Sequence, residues 1–539
     1  MTIVVDQDVA AQVARPRTAR RARARTRAPW WLVGPLAFLA GWALLAHVYR
    51  DATPAVMPAP WKVATAFHRA WADGLMANIG ASAKVAFGGW LVGSFAALVI
   101  GILIGRIRWV RDVVNPMIEV LRPVSALVWV PLAIVWFGIG YNSKLFIVAL
   151  ATFFVVVVYV ISGAESIDDR YLKVARMLAM NRWRTYRHIV IPSATPSILI
   201  GLRQGLAISW GGVIIAELVA GDKGVGAMEL QAQQSFDLNL VVVAMIVFAV
   251  LGFAAVAVFN IAERLIVPWA AHQRGTVVVR RGGEQSSRRL TRQVPRMVAG
   301  FVLLVALWWV ASAGVGTSEV VLPSPGAVGS KVVDLLQQGG FLIDVRTSVV
   351  EFAIGYALAV VTAVAASIAF VLVPFLHRTL WSEVELLRFV IPFSWIPLAV
   401  LWFSTSDTGK IFVVWYAVFF SVIVAAYAAL SSVDPMLMKA GRMLGMSWWE
   451  QTVRIRLRAA LPPLVAAARS GVGIGWISVI AAEYLGAEHG LGIFITNAQE
   501  TLDTTSVMAG MVVIGAIGAA MSALAGFIAT PTLRRGESK

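Results

Sequence analysis

The chain has no cysteine, few histidines and a shortage of acidic residues, and each shortage removes a class of function. Without cysteine there is no disulfide, thiol nucleophile or thiolate metal site. The 6 histidines are scattered, so no metal centre is expected. Aspartate and glutamate total 29 against 46 lysines and arginines, and charged residues make up only 14% of the 539. With 59% hydrophobic residues, so little charge could not cover the surface of a soluble protein. No GxxxxGK[ST] stretch is present to cradle a nucleotide's phosphates. Nor do polar residues converge in sequence as a membrane enzyme would require.

Long apolar runs are what the chain does have. Spans are expected near 30–49, 84–104, 119–138, 144–163, 197–220 and 239–259, and again near 297–314, 350–373, 386–404, 410–430, 464–485 and 507–529. Isolated strands cannot satisfy their backbones in lipid, so the expected fold is an all-α polytopic membrane protein. The net charge of +17 is gathered in clusters. Arg15, Arg17, Arg20, Arg21, Arg23, Arg25 and Arg27 precede the first run, and Arg274, Arg280, Arg281, Arg288, Arg289, Arg292 and Arg296 lie mid-chain. Both clusters flank apolar segments, which points to the positive-inside rule and anionic lipid rather than nucleic acid. Six spans per half put every basic cluster on the cytoplasmic side, together with both termini. The polar stretch 270–295 reads as a cytoplasmic tether between two modules.

The chain repeats itself. Residues 173–196 read KVARMLAMNRWRTYRHIVIPSATP and residues 439–462 read KAGRMLGMSWWEQTVRIRLRAALP, without a gap (439 − 173 = 266). The same offset relates Trp129-Val130-Pro131 to Trp395-Ile396-Pro397, and Trp136-Phe137 to Trp402-Phe403. It also relates Lys144 to Lys410, Arg203 to Arg469, Trp210 to Trp476, Glu217 to Glu483, and GVG at 224–226 to GLG at 490–492. A tandem repeat of even-numbered topology gives a parallel pseudo-twofold along the membrane normal. Two copies of a basic amphipathic segment predict two equivalent contacts to a cytosolic partner. The bland alternative is a pair of interfacial helices resting on lipid.

These residues resemble the permeases of binding-protein-dependent ABC importers. The charged repeat is similar to their cytoplasmic loop signature, E-A-A-x-x-x-G followed by I-x-L-P. VMPAP at 56–60, VLPSP at 321–325, the 129–140 segment and the A-E…G-x-G element at 216–226 look like the nitrate/sulfonate/taurine/bicarbonate branch. The chain departs from the signature at Lys173 and Lys439 in place of glutamate, and at Ala179, where the second copy has Gly445.

The resemblance implies two fused six-helix permease domains: a basic tail at 1–29, domain one at 30–269, the linker at 270–295, domain two at 296–533 and a tail at 534–539. It implies a bacterial inner-membrane location and a small solute, of which an organic anion such as a sulfonate or taurine, or nitrate or bicarbonate, is favoured. The implied partners are two cytosolic ABC ATPase subunits, an extracytoplasmic solute-binding protein and membrane lipid. No cofactor is bound directly, since ATP and magnesium belong to the ATPases. A secondary transporter of six-plus-six design is the alternative, but it gives the repeated segment no purpose.

Coupling to the ATPases is accordingly expected at Asp169, Lys173, Arg176, Met177, Ala179, Met180 and Trp183, and at Pro435, Lys439, Arg442, Met443, Gly445, Met446 and Trp449. These residue types suit a stiff helix with an acidic or proline start and an abrupt end. Pro131, Trp136 and Gly138, with Pro397 and Trp402, are read either as a pathway gate or as packed kinks. Arg203, Glu217, Arg469 and Glu483 are charges within spans, costly unless paired or facing a cavity. Arg203 and Arg469 are read as partners of a carboxylate or, less favoured, of an anionic substrate. A docking-protein salt bridge is the reading for Glu217 and Glu483.

Overall fold

The computed structural model describes residues 30–49, 57–122, 126–165, 169–267, 290–314, 321–403, 406–484 and 487–537. All regular structure among them is helical. In the first half the helices are α1 (Trp30–Val48), α2 (Pro60–Ala72), α3 (Leu75–Arg106), α4 (Arg108–Leu121), α5 (Val130–Phe137), α6 (Tyr141–Glu165), α7 (Asp169–Met177), α8 (Ile191–Ala220), α9 (Val225–Gln234) and α10 (Leu238–Ile266). The second half repeats the series as α11 (Leu290–Gly314), α12 (Pro325–Gln337), α13 (Gly339–Leu372), α14 (Pro374–Arg388), α15 (Trp395–Phe403), α16 (Asp407–Ser431), α17 (Pro435–Met443), α18 (Leu457–Tyr484), α19 (Leu491–Glu500) and α20 (Thr504–Glu537).

Proline and tryptophan set the entry to each half. Pro60 and Pro325 open α2 and α12, where the missing N–H costs nothing. The indole of Trp42 donates to the Pro58 carbonyl at 2.8 Å, and Trp308 to Pro323 at 3.0 Å, so each proline motif anchors its leading helix. At the centre of each half, α3, α6 and α8 pack together, as do α13, α16 and α18. Small residues allow the close approach: a Cβ on Gly93 would lie 2.2 Å from the Ala149 carbonyl oxygen. Trp90 donates to the Leu202 carbonyl (2.9 Å), and Tyr356, at the matching position, donates to Ala468 (2.8 Å).

The halves exchange elements. Helix α1 packs on α14 of the second half, and α11 packs on α4 of the first. Gly300 of α11 sits so close to Pro116 that a Cβ would meet the proline ring carbon at 2.4 Å. The short α5 reaches α19 and α20, while α15 reaches α9 and α10.

Twelve unbroken spans are not what the structure contains. Among the described residues eight helices are long and apolar enough to cross a membrane: α3, α6, α8 and α10, with α13, α16, α18 and α20. The apolar parts of α1 and α11 are shorter, Pro35–Val48 and Val298–Ala313. Both expected third spans are broken. The run 119–138 takes in the end of α4, whose Arg111, Asp112, Asn115 and Glu119 make it amphipathic, and then α5. In the run 386–404, Pro374–Arg388 and Pro392–Phe403 meet at 84°. Pro131 lies in the first turn of α5 and Pro397 near the start of α15, so each begins a helix rather than kinking one. Helix α11 begins at Leu290, inside the expected linker, and α20 runs to Glu537, through the expected tail. The 1–29 tail and most of the linker lie outside the described residues.

Candidate functional site

Helices α7 and α17 are short and end abruptly. The Leu178 N–H bonds to Val174 O, Ala179 to Arg176 and Met180 to Ala175, at 2.9, 3.1 and 3.0 Å. The second copy repeats this with Leu444 to Ala440, Gly445 to Arg442 and Met446 to Gly441, each at 3.1 Å. This is the Schellman pattern, in which one left-handed residue turns the chain and satisfies the last carbonyls. That residue is Gly445 (φ 72°) in the second copy and Ala179 (φ 47°) in the first, where the β-carbon carries a strain of about 1–2 kcal/mol.

The turn pushes apolar side chains outward at each tip. Met177 is 85% exposed and Leu178 68%, while Met443 is 90% and Leu444 80% exposed. Lys173, Arg176, Lys439, Arg442, Pro435 and Trp449 are also exposed, whereas Met180 and Met446 are half-buried beneath the turn. Asp169 opens α7, and Trp183 lies on the short helix Arg182–Thr185 that follows its turn. Sequence reasoning overlooked the tip residues Leu178 and Leu444. It also overlooked Ala175 and Gly441, buried where each helix meets its return strand of chain: a Cβ on Gly441 would sit 2.6 Å from Ile455. The signal was present, since both are small and share the repeat register.

The return segments start differently. Asn181 Oδ1 accepts from the Arg184 N–H at 2.8 Å in the first copy. In the second, Ser447 and Glu450 form a reciprocal capping box, with Glu450 N to Ser447 Oγ at 3.2 Å and Ser447 N to Glu450 Oε2 at 3.0 Å. Both then pass through a π-helical stretch, Tyr186–Val190 and Gln451–Arg456, before α8 and α18.

The broken third spans meet the opposite half. Pro131 and Leu132 face Ala498, Gln499, Leu502 and Val507 across a narrow cleft. The Trp136 indole donates to Val321 O at 2.9 Å, tying α5 to the second half. Gly138 (φ 74°) ends α5 and is exposed. Pro397 is buried, and Trp402 packs with Trp395, Phe403 and Phe412.

At the end of the molecule opposite α7 and α17, a buried polar clamp appears in each half. Glu217 is fully buried and accepts from Ser82 Oγ at 2.8 and 2.9 Å and from the Gly226 N–H at 2.8 Å. Ser82 in turn accepts from Val225 N (2.9 Å), and Asn78 Oδ1 from Gly224 N (3.3 Å). The second half repeats the three backbone bonds, Gly492 N to Glu483 at 2.7 Å, Leu491 N to Ser348 at 2.9 Å and Gly490 N to Asp344 at 3.0 Å, while the Ser348 hydroxyl donates to the Asp344 carbonyl at 3.2 Å. Gly224 and Gly490 have φ of 131° and 138°, and a Cβ on either would strike the glutamate carboxylate at 2.2 or 2.4 Å. The G-x-G element is therefore a seat for a glutamate. Glu217 and Glu483 are inaccessible to a docking protein, which corrects the salt-bridge expectation.

A buried lysine completes each clamp. Lys144 Nζ donates to Asp222 Oδ1 (3.1 Å) and to Lys223 O (3.3 Å). That bond holds the Asp222 carboxyl below its usual range. Lys410 reaches the equivalent carbonyl of His489 at 3.5 Å but pairs with Glu351 and with Asp407 (3.0 Å). Glu229, on α9, is different again: fully buried, with neither carboxylate oxygen hydrogen-bonded. Burial, and then the nearby Glu217, push its carboxyl well above the usual glutamate range. Arg203 donates to Asn260 Oδ1 at 3.2 Å and lies 4.0 Å from Glu263, whereas among the described residues no such pair forms at Arg469. No three metal-ligating side chains gather among the described residues.

The family described as "binding-protein-dependent transport system inner membrane component" matches the chain twice, over residues 97–272 and 355–530. A protein of Escherichia coli named as an aliphatic sulfonates transport permease is 33% identical over 243 residues, 45% of this chain and 91% of the relative. The taurine transport system permease protein of the same organism is 33% identical over 170 residues, 32% of this chain and 62% of its own length. A riboflavin transport system permease protein of Chloroflexus aurantiacus is 31% identical over 217 residues, 40% and 81% of the two chains. Relatives such as the sulfonates permease are covered almost end to end by about half of this chain, and the repeat supplies the other half.

Proposed function

Given that the chain belongs to the family of binding-protein-dependent transport system inner membrane components, as a tandem repeat and not itself an enzyme, we propose that it forms the whole transmembrane pathway of an ATP-driven importer. Its domains are 30–269 and 296–533, joined by the 270–295 linker, and each contributes six membrane passages related by a parallel pseudo-twofold. The third passage of each is the broken α4–α5 or α14–α15 pair. The 1–29 tail, the linker and the residues beyond 533 are cytoplasmic, as their arginines favour.

The observation that carries this reading is the pair of exposed apolar tips, Met177-Leu178 and Met443-Leu444, on identical helix–turn units at the basic end of the molecule. Such tips suit shallow clefts on two cytosolic ATPase subunits, which use ATP and magnesium. Asp169, Lys173, Arg176, Ala179, Met180 and Trp183, with Pro435, Lys439, Arg442, Gly445, Met446 and Trp449, build and flank the tips. The clamped ends present rigid loops to an extracytoplasmic solute-binding protein. Pro131, Trp136, Gly138, Pro397 and Trp402 stand where the halves meet and form the gate. The imported solute is a small organic one; a sulfonate or taurine fits two of the relatives' names, ahead of nitrate or bicarbonate.

The test replaces Met177, Leu178, Met443 and Leu444 with serine. Each large side chain buried at such a contact contributes about 1.5–3 kcal/mol. Loss of one tip should therefore weaken ATPase association at least about tenfold, with the unfolding temperature of the permease unchanged. Undiminished ATPase binding and solute uptake with all four replaced would falsify the assignment.

A further inference from the structure

Arg203 and Arg469 occupy the same position in the two halves but have different surroundings. Arg203 on α8 is satisfied from α10, by Asn260 at 3.2 Å and by the buried Glu263 carboxylate at 4.0 Å. At the matching positions α20 carries Gly526 and Ala529. The Arg469 guanidinium lies directly over Gly526, where an added Cβ would sit 3.3 Å from Nη2. Arg469 is exposed, and among the described residues no carboxylate or carbonyl accepts from it. Asp344, Glu351, Asp407 and Glu483, acidic residues of α13, α16 and α18, belong to the clamp at the far end of the half.

A guanidinium stays protonated at every accessible pH, so its charge cannot be relieved by titration. Within a span such a charge is costly unless it is paired or reaches water, and an oxyanion partner relieves that cost. In the first half the fold supplies a carboxylate. In the second the carboxylate is gone, and the missing side chain at 526 lets the guanidinium lie against α20 without a partner from that helix among the described residues. We propose that Arg469, between α18 and α20, is a binding site for a phosphate- or sulfonate-type oxyanion that takes the place Glu263 fills in the first half. The planar fork suits two oxygens of such a group. Two sources carry that chemistry: the headgroup of an anionic phospholipid or, if the importer reading holds, the translocated anion.

The test uses the full chain in nanodiscs and reads thermal unfolding and lipid retention, neither of which requires an ATPase or transport. A negative result therefore leaves the importer assignment standing. Discs of phosphatidylcholine alone are compared with discs of equal parts phosphatidylcholine and phosphatidylglycerol, and a free alkanesulfonate is titrated into the former. A lipid source predicts a higher unfolding temperature and retained phosphatidylglycerol in the mixed discs. A solute source predicts stabilisation by the sulfonate in the neutral discs. Under either, Arg469→Gln should weaken the response about tenfold or more, and Arg203→Gln should preserve it. Should Arg469→Gln fold poorly, G526N/A529E decides the matter, because it transplants the first half's partners. It should be as stable in neutral discs as the wild type with anion present, and should no longer respond to anion. A wild type indifferent to both anions, or a G526N/A529E protein that responds as the wild type does, overturns the proposal.

Discussion

Glu229 shows how much a single side chain can carry at this scale. Its carboxyl is buried on α9 with no hydrogen-bond donor among the described residues, and the matching residue of the second half is the buried Ile495. Burial and Glu217 act on it: of the helices packed on α9, α8 contributes Glu217, the Lys84 side chain of α3 is exposed, the Asp237 side chain caps α10 itself, and α15 has no ionisable residue. Because its value in the fold lies above the ordinary 4.5, the folded protein keeps a proton that the unfolded chain releases. Stability should then fall as pH rises from that ordinary value through the raised one. Glu229→Gln removes the effect and should stabilise the protein by about 1–3 kcal/mol in mildly alkaline buffer, with the gap closing on acidification. Unfolding temperatures across pH check this, and a gap that widens toward acid would contradict it. Residues of this kind were the least legible in the sequence. Glu217 and Glu483 were visible as charges in spans, but their partners Ser82 and Ser348 lie far away along the chain and carry no motif. Ala179, by contrast, was readable as a departure from glycine, and it adopts the glycine conformation regardless.

Among the elements, the clamps make the sharpest claim. The loops after α8 and α18 are fixed by a glutamate, a serine, a glycine and a lysine from three separate helices. Gly224→Ala and Gly490→Ala should each cost about 2 kcal/mol or more, through the clash with the carboxylate and the positive φ. Gly252→Ala on α10, where a Cβ meets nothing within 4 Å, should be neutral or slightly stabilising. Comparable unfolding temperatures for all three variants would remove the clamp as an organising feature. Periodicity and hydropathy located the eight long spans well, since a run that fills a bilayer has few alternatives. The third spans were misread for a physical reason. A hydropathy window averages the polar end of α4 with the apolar α5 that follows, and so hides the turn between them.

For the molecule as a whole, the repeat was legible down to single residues, because duplicated packing constraints preserve a register. The exchange of elements between halves was not, because nothing in a linear pattern says which partner a first helix will choose. That exchange predicts interdependence. Cutting the chain within 270–289 and producing both pieces together should restore a complex that unfolds near the intact protein's temperature. Either piece alone should be unstable, lacking the helix that covers its α4 or α14. Two separately stable halves would show that the exchanged contacts contribute little.

The contact of Gly300 with Pro116 also bears on the order in which the protein is built. The first half leaves the translation machinery missing a wall, since the helix that closes over α4 belongs to the second half and is made only after α10. Until then α4 must wait against lipid or an insertion factor. A chain carrying both halves holds the missing wall at a high effective concentration beside α4 at every round of synthesis, which favours closure by its own second half over closure by another copy.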